Sequence, residues 1–493
     1  MTFEISMRAL GQTLWLLSPE LALLLAGLFA LGLQAVGPRL EEKRWPQCTV
    51  LTGLIVALIL TITLWGHQAQ TFSLLVHDPF AQVIKTVALI TTGILVLTSD
   101  SYIESHDKHK GGFYALLIFS TLAICLLGGA TNLILSFLAL ELLSITSTLL
   151  IGYLRQDGRS TEAALKTFLY GTTLSAMTLY GISWIYGLTG STDLHRIAIA
   201  TQTTGDFLYP TLLLALIFIV AGLTFKIGAV PFHHWAPDAY EGAPTPVTAF
   251  LSTGPVIGGT ATMIRVLLTA FPPEMERLAM DWQTLLMAVT TLTMTVSNLA
   301  ALKQPNIKRL LAYSSIAQTG YLLIGVITAS PGGVTGTLFY LMAYVLSNLG
   351  AFAVAVSVSR DEDGGSLENY AGLHKRAPAL AMAMTMCLFS LAGIPPTAGF
   401  VGKLYLFSAA IRKGLLWLAI VGVLNSVLSI ACYWKIIRAM YILPAQSGER
   451  LSIPLTLAAA LSVTAISVLV VGILPGPLST LVETAAQAIL GQP

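Results

Sequence analysis

The stretch Ala377-Pro-Ala-Leu-Ala-Met-Ala-Met-Thr-Met-Cys-Leu-Phe-Ser-Leu-Ala-Gly393-Ile-Pro-Pro396-Thr-Ala-Gly-Phe-Val-Gly-Lys403-Leu-Tyr-Leu-Phe-Ser-Ala-Ala-Ile411 decides the fold. It is apolar from end to end and too long for one straight membrane helix, which needs about 20 apolar residues. Gly393-Ile-Pro-Pro396 sits in its middle. Proline removes a backbone donor and clashes with the preceding turn, so a broken helix is predicted. Backbone opened at membrane depth is tolerated only inside protein or beside a wet cavity. The lone charge of this stretch, Lys403, follows the break.

The rest of the chain has the same character. Its 493 residues are 55% apolar and only 10% charged, and the mean hydropathy is +0.78. A soluble chain carries roughly 25% charged residues to cover its surface. Most of this surface must therefore face lipid. The 26 basic residues nearly balance the 24 acidic ones. That leaves no basic face for nucleic acid and no acidic tail. The four cysteines (Cys48, Cys125, Cys387 and Cys432) are far apart. They form no CxxC or Cys/His cluster of the kind that holds zinc or iron–sulfur. Neither GxGxxG nor a P-loop is present, which argues against a nucleotide site. The N-terminus does not read as a cleavable signal, since its first apolar run is helix-length.

Fourteen apolar segments are expected to span, at about 15–36, 49–66, 81–99, 111–127, 131–153, 164–188, 209–230, 245–270, 283–302, 309–328, 333–357, 377–411, 415–437 and 452–474. The fold class is an all-α polytopic membrane protein. Span seven also ends in a break, at Gly228-Ala-Val-Pro231, and Gly254-Pro255 should open span eight. Lysine and arginine set the orientation. One set of loops holds fifteen of them, including Arg39, Lys43, Lys108, Arg155, Lys303 and Arg450. The opposite set holds five, including Arg8 and Arg196. Both termini are therefore expected on the outer side.

A weak internal repeat relates Leu169-Tyr170 to Phe339-Tyr340, and Pro231 to Pro395. Five spans separate each pair, and an odd number inverts the second copy. Inverted repeats with paired broken helices are secondary-transporter architecture, with ion sites near the midplane. The expected organisation is an N-terminal three-helix segment over 1–110, a first repeat over 111–270, a second over 283–440, and a C-terminal helix and tail over 452–493.

A charge at the bilayer centre costs at least ~2.5–3.5 kcal/mol and is a functional candidate by default. Glu141 is the one mid-span acid, in Phe137-Leu-Ala-Leu-Glu141-Leu-Leu-Ser-Ile145. It reads as a proton carrier or the partner of a buried lysine. Lys226, five residues before Pro231, and Lys403 are the candidate lysines. Lys166 reads equally well as surface anchoring or function. Lys85 and Lys435 read as anchors, Glu20 as able to reach the interface, and Arg265 as ambiguous. His233-His234 with Asp238 and Glu241 invites a metal reading. However, Pro231, Pro237, Pro244 and Pro246 should prevent a regular helix there, and no third ligand of suitable spacing follows. A polar loop reaching into the membrane fits better, and no metal is expected.

These residues resemble subunit N of respiratory complex I. The resemblance is carried by Glu141-Leu-Leu-Ser-Ile145, Glu162-Ala-Ala-Leu-Lys166, Phe225-Lys226, Lys308-Arg-Leu-Leu-Ala-Tyr-Ser-Ser315, Ser390-Leu-Ala-Gly-Ile-Pro-Pro396 and Gly402-Lys403. The most specific match is Pro231-Phe-His-His-Trp-Ala-Pro-Asp-Ala-Tyr-Glu-Gly-Ala-Pro-Thr-Pro-Val-Thr-Ala-Phe-Leu-Ser252. The resemblance implies an antiporter-like subunit of fourteen helices, with inverted repeats at spans four to eight and nine to thirteen. It implies a proton-translocating role in an NADH:quinone oxidoreductase, with Glu141, Lys226 and Lys403 on the proton path. Weaker sites are Lys166, Gln318, His233 and His234. No cofactor is implied on this chain; flavin, iron–sulfur clusters and quinone are expected in partner subunits. The implied partners are the antiporter-like M and L types, the small K- and J-type subunits, and lipid. The implied location is a bacterial inner membrane or a thylakoid-type membrane.

Two departures from the family pattern stand out. Val256 occupies the place of a span-eight lysine, and Gln318 stands where some relatives carry histidine. Glutamine can orient water but cannot titrate. Two other readings therefore stand beside the pump: a subunit of a cation/proton antiporter, and a scaffold that has lost conduction.

Overall fold

In a computed structural model, the described residues are 11–36, 44–106, 110–202, 205, 207–361, 365–445 and 451–491. Arg8, Arg39, Lys43, Lys108 and Arg450, used above for orientation, lie outside them. Each of the fourteen expected segments holds helix. The spans are Ser18–Val36, Trp45–Thr63, Pro79–His106, Lys110–Gly129, Leu133–Ile151, Gly158–Thr189, Tyr209–Lys226, Thr245–Leu251 with Gly254–Thr269, Glu276–Ala301, Ile307–Thr328, Pro331–Asp361, Pro378–Ala392 with Ala398–Arg412, Leu416–Tyr441 and Leu455–Ile473. Twelve of these are long and apolar enough to cross a membrane. The other two are span six, which is rich in Ser and Thr, and the divided span twelve.

Local chemistry fixes the helix ends. Asn132 caps span five by accepting from Ile134 N at 2.9 Å. Asp157 caps span six, and Asn306 caps span ten. Such side chains satisfy amides that have no intrahelical partner. Span twelve breaks as expected, with Gly393 at φ +83, a conformation open to glycine at little cost. The two halves then approach closely. A Cβ at Gly399 would stand 1.9 Å from the Ser390 carbonyl oxygen. Span eight opens at Ser252–Thr253.

The stretch after Pro231 corrects one expectation. Trp235–Gly242 is a regular short helix. Pro237 lies in its first turn, where no intrahelical donor is needed. Further elements lie outside the spans, among them a hairpin and a helix after span fourteen. The hairpin pairs Ala69–Thr71 with Leu75–His77. The helix Gly476–Ile489 buries Val482, Ala485, Ala486 and Ile489 against spans three and eleven.

Spans eight, ten and eleven form the core and are buried almost all round. Spans one, two and fourteen keep most of their surface outward. Charges carried on the inner spans therefore sit in protein, where they need partners.

Candidate functional site

Lys226 ends span seven and is buried. Its Nζ donates to Ser144 Oγ at 2.7 Å and to the Leu140 carbonyl at 3.3 Å. Both acceptors belong to span five and flank Glu141. An ammonium has three donors, so one N–H remains for the cavity that Lys226 and Glu141 both line. That cavity measures about 50 Å³ and is also bordered by Ser144, Thr148, Thr167 and Pro255. A water needs roughly 10–15 Å³ of such space. Glu141 accepts a hydrogen bond from Ser175 Oγ of span six. Glu141 and Lys226 form no direct ion pair among the described residues, and both line this cavity.

Lys403 is held differently. Its Nζ donates to the Leu391 carbonyl at 2.9 Å, the Ala392 carbonyl at 3.1 Å and Ser426 Oγ at 3.1 Å. The ammonium also lies 4.3 Å from the Tyr321 ring centroid. All three donors are therefore taken. The two carbonyls close the first half of span twelve, and a helix C-terminus leaves such groups free and partly negative. The break thus makes the cation site.

Val256 is buried on span eight, next to Pro255, which borders the Lys226 cavity. The hydroxyls of Ser252 and Thr253 turn back to the Ala249 carbonyl of their own helix at 2.7 and 3.1 Å. The Ser252 carbonyl instead accepts from Tyr344 of span eleven. Asn348 Nδ2 donates to the Tyr344 hydroxyl at 3.2 Å and to Ser315 Oγ at 3.0 Å. One turn along span ten, Gln318 is fully enclosed. Its amide donates to the Leu391 carbonyl at 3.0 Å and the Tyr433 hydroxyl at 2.9 Å, and its oxygen accepts from Tyr340. The centre of the molecule is a bonded network of hydroxyls and amides, and sequence reasoning identified only Gln318 of it.

Lys166 does not join Lys226. It pairs with Glu162 at 2.9 Å and with Asp238 at 3.0 Å. Arg309 of span ten binds Asp238 at 2.9 Å and Glu241 at 2.7 Å. This network ties spans six and ten through the Trp235–Gly242 helix. Burial acts to raise the Asp238 carboxyl, but hydrogen bonds from Lys166 and Arg309 outweigh it and hold it below the usual carboxylate range. His233 is buried, its ring 4.3 Å from that of His234. Burial and the neighbouring His234 pull its imidazole down. Among the described residues no group of three His, Cys, Asp or Glu could hold a metal ion.

Two pairs were missed in the sequence. Lys85 meets Glu20 at 2.5 Å, and Arg265 meets Asp78 at 2.6 Å, all deeply enclosed. Both side chains of the first pair are enclosed in protein. The partners lie on separate spans, so no local motif could have joined them.

Residues 130–429 match the family described as NADH:quinone oxidoreductase/Mrp antiporter, TM. The chain is 42% identical to NADH-quinone oxidoreductase subunit N of Trichlorobacter lovleyi, over 99% of each chain. It is 32% identical to a chain of respiratory complex I from Thermus thermophilus, with a TM-score of 0.80, covering 94% of this chain and 98% of that one. A chain of the Mrp complex from a Dietzia species has the same fold, with a TM-score of 0.84 at 22% identity, covering 96% of this chain and 97% of that one.

Proposed function

The chain belongs to the NADH:quinone oxidoreductase/Mrp antiporter family of membrane subunits, in its subunit N branch, and on that footing we propose that it carries protons within a complex I-type enzyme. The observation that supports this best is the Lys226 site. A buried ammonium with two fixed acceptors keeps one N–H toward a cavity shared with Glu141. A proton passes between amine and carboxylate through water held there. Lys403 stores charge at the second break, on carbonyls that the break itself frees.

In this reading the segments 111–270 and 283–440 are inverted copies, each with a charged site beside a broken span. Electron transfer takes place elsewhere, on flavin, iron–sulfur and quinone sites of partner subunits. M-, L-, K- and J-type subunits cover the lipid-free flanks. The membrane is a bacterial inner or thylakoid-type membrane, with both termini outside.

A self-standing cation antiporter is the weaker reading, because the full-length curated relatives are NADH-quinone oxidoreductase subunits while the Mrp chain is only 22% identical. The scaffold reading has a specific support: neither Val256 nor Gln318 can titrate. Pumping by vesicles that carry Lys226→Ala separates these readings. Loss of pumping with electron transfer retained supports the proton path. Wild-type pumping supports the scaffold.

A further inference from the structure

Two buried ion pairs lie apart from the Glu141, Lys226 and Lys403 set, toward the ends at which spans one and three begin. Glu20 of span one holds Lys85 of span three at 2.5 Å. Asp78 caps span three by accepting from Ala81 N at 2.7 Å. It also takes two hydrogen bonds from Arg265 of span eight, at 2.6 and 3.0 Å. Arg265 further donates to the Gly128 carbonyl at 2.7 Å, at the end of span four.

His77, the last residue of the hairpin, is buried beside Asp78. Its Nε2 has no partner among the described residues, and neither do Glu20 Oε2, Thr71 Oγ1 or Thr131 Oγ1. Strand alternation puts Thr71 and His77 on one face of the hairpin. Thr131 lies where the hairpin meets the head of span five, its amide bonded to the Leu74 carbonyl.

A buried ion pair is a poor stabiliser, because desolvation offsets the attraction. Buried polar atoms that converge without protein partners are where water is held. Burial and then Lys85 pull the His77 imidazole down to about 4. The neutral ring offers a lone pair on one nitrogen. The charges that act on it are Lys85 of span three, Glu20 of span one and the capping Asp78; Cys125 of span four feels Glu20 and Lys85, and Arg265 of span eight is bonded to Asp78. Two carboxylates balance two cations while the ring is neutral.

We infer that Glu20, Lys85 and His77 form a second proton-exchange site, distinct from the Glu141–Lys226 cavity and tied to span eight through Asp78–Arg265. It rests on the proton-carrying reading above and adds the place where a proton meets one membrane face. A proton taken from water by the His77 lone pair makes an imidazolium. Passing it to the Glu20 carboxylate restores the neutral ring, forms the acid and releases Lys85 from its pair. The reverse steps return the proton to water.

The test uses the assembled complex in sealed vesicles, with quinone reduction and proton pumping measured across pH. Glu20→Gln and His77→Gln should keep electron transfer, lose coupled pumping and displace its pH profile. The double variant Glu20→Leu/Lys85→Leu keeps the volume without the charges and decides the matter if Glu20→Gln fails to assemble. Lost pumping there supports the site. Wild-type pumping and pH profile in the double variant or in His77→Gln overturn it and leave the pairs as helix clamps. Lys226→Ala, measured alongside, reports on the underlying reading. Loss there with wild-type pumping in His77→Gln rejects only the second site.

Discussion

Gln318 and Lys403 donate to the same oxygen, the Leu391 carbonyl, at 3.0 and 2.9 Å. A change in the charge of Lys403 therefore reaches Gln318 through one shared acceptor. The amide can respond by moving, but it cannot take the proton. Replacing Gln318 by Leu leaves the Tyr340 hydroxyl without its buried partner, while the Tyr433 hydroxyl keeps Ser314. Such an orphan costs about 1–3 kcal/mol. Gln318→Leu should lower the thermal midpoint of the purified complex; an unchanged midpoint would show that the amide network carries no weight.

Glu141 faces a cavity and one hydroxyl, Ser175. Glu141→Gln keeps the shape and an acceptor oxygen but removes the exchangeable charge. Assembly and electron transfer should persist, with pumping sharply reduced. Proton uptake by vesicles measures this, and wild-type uptake would remove Glu141 from the path.

Lys226→Ala removes two charge-assisted hydrogen bonds, each worth about 1.5–3 kcal/mol. The amine that would exchange the proton is lost with them, so pumping should fall sharply. Lys226→Arg keeps the charge and the donors and should fall less. Wild-type pumping in both variants would sink the idea that the amine itself exchanges protons.

Val256 adjoins Pro255, which borders the Lys226 cavity of about 50 Å³. Val256→Lys should be tolerated in assembly, with the new amine directed to that space, since the family pattern places a lysine at this depth. Failure to assemble, read by native gel, would show that the surroundings have closed around valine.

The Asp238 carboxyl is held below its unfolded value by Lys166 and Arg309. Its stabilising effect is thus full above the ordinary carboxylate range and is lost as pH falls through the depressed value. Asp238→Asn should cost about 1 kcal/mol or less at neutral pH, since the group is partly exposed. The difference from wild type should vanish in acid. A difference that persists at low pH would assign the effect to packing.

The broken twelfth span was legible because Gly393-Ile-Pro-Pro396 carries its own backbone consequence. Glu141, Lys226 and Lys403 were legible because a charge in an apolar run is conspicuous wherever it falls. Lys166 was ambiguous, since a lysine two turns from Arg159 suits a surface as well as a site, and the structure places it in an ion-pair network with Glu162 and Asp238. The helix Trp235–Gly242 was misread because Pro237 was counted without its position in the turn.

The sequence by itself determined that this is a polytopic helical membrane protein, where its spans run and which family it joins. Apolar length, proline and isolated charges act locally, and a long motif is read in order. Only the tertiary structure decided which groups share an acceptor. Lys226 with Ser144, Tyr344 with Ser252, Lys85 with Glu20 and Arg265 with Asp78 are partners on different spans. Such pairings are set by how helices pack and face one another, and each helix alone is compatible with many rotations that a linear pattern does not distinguish.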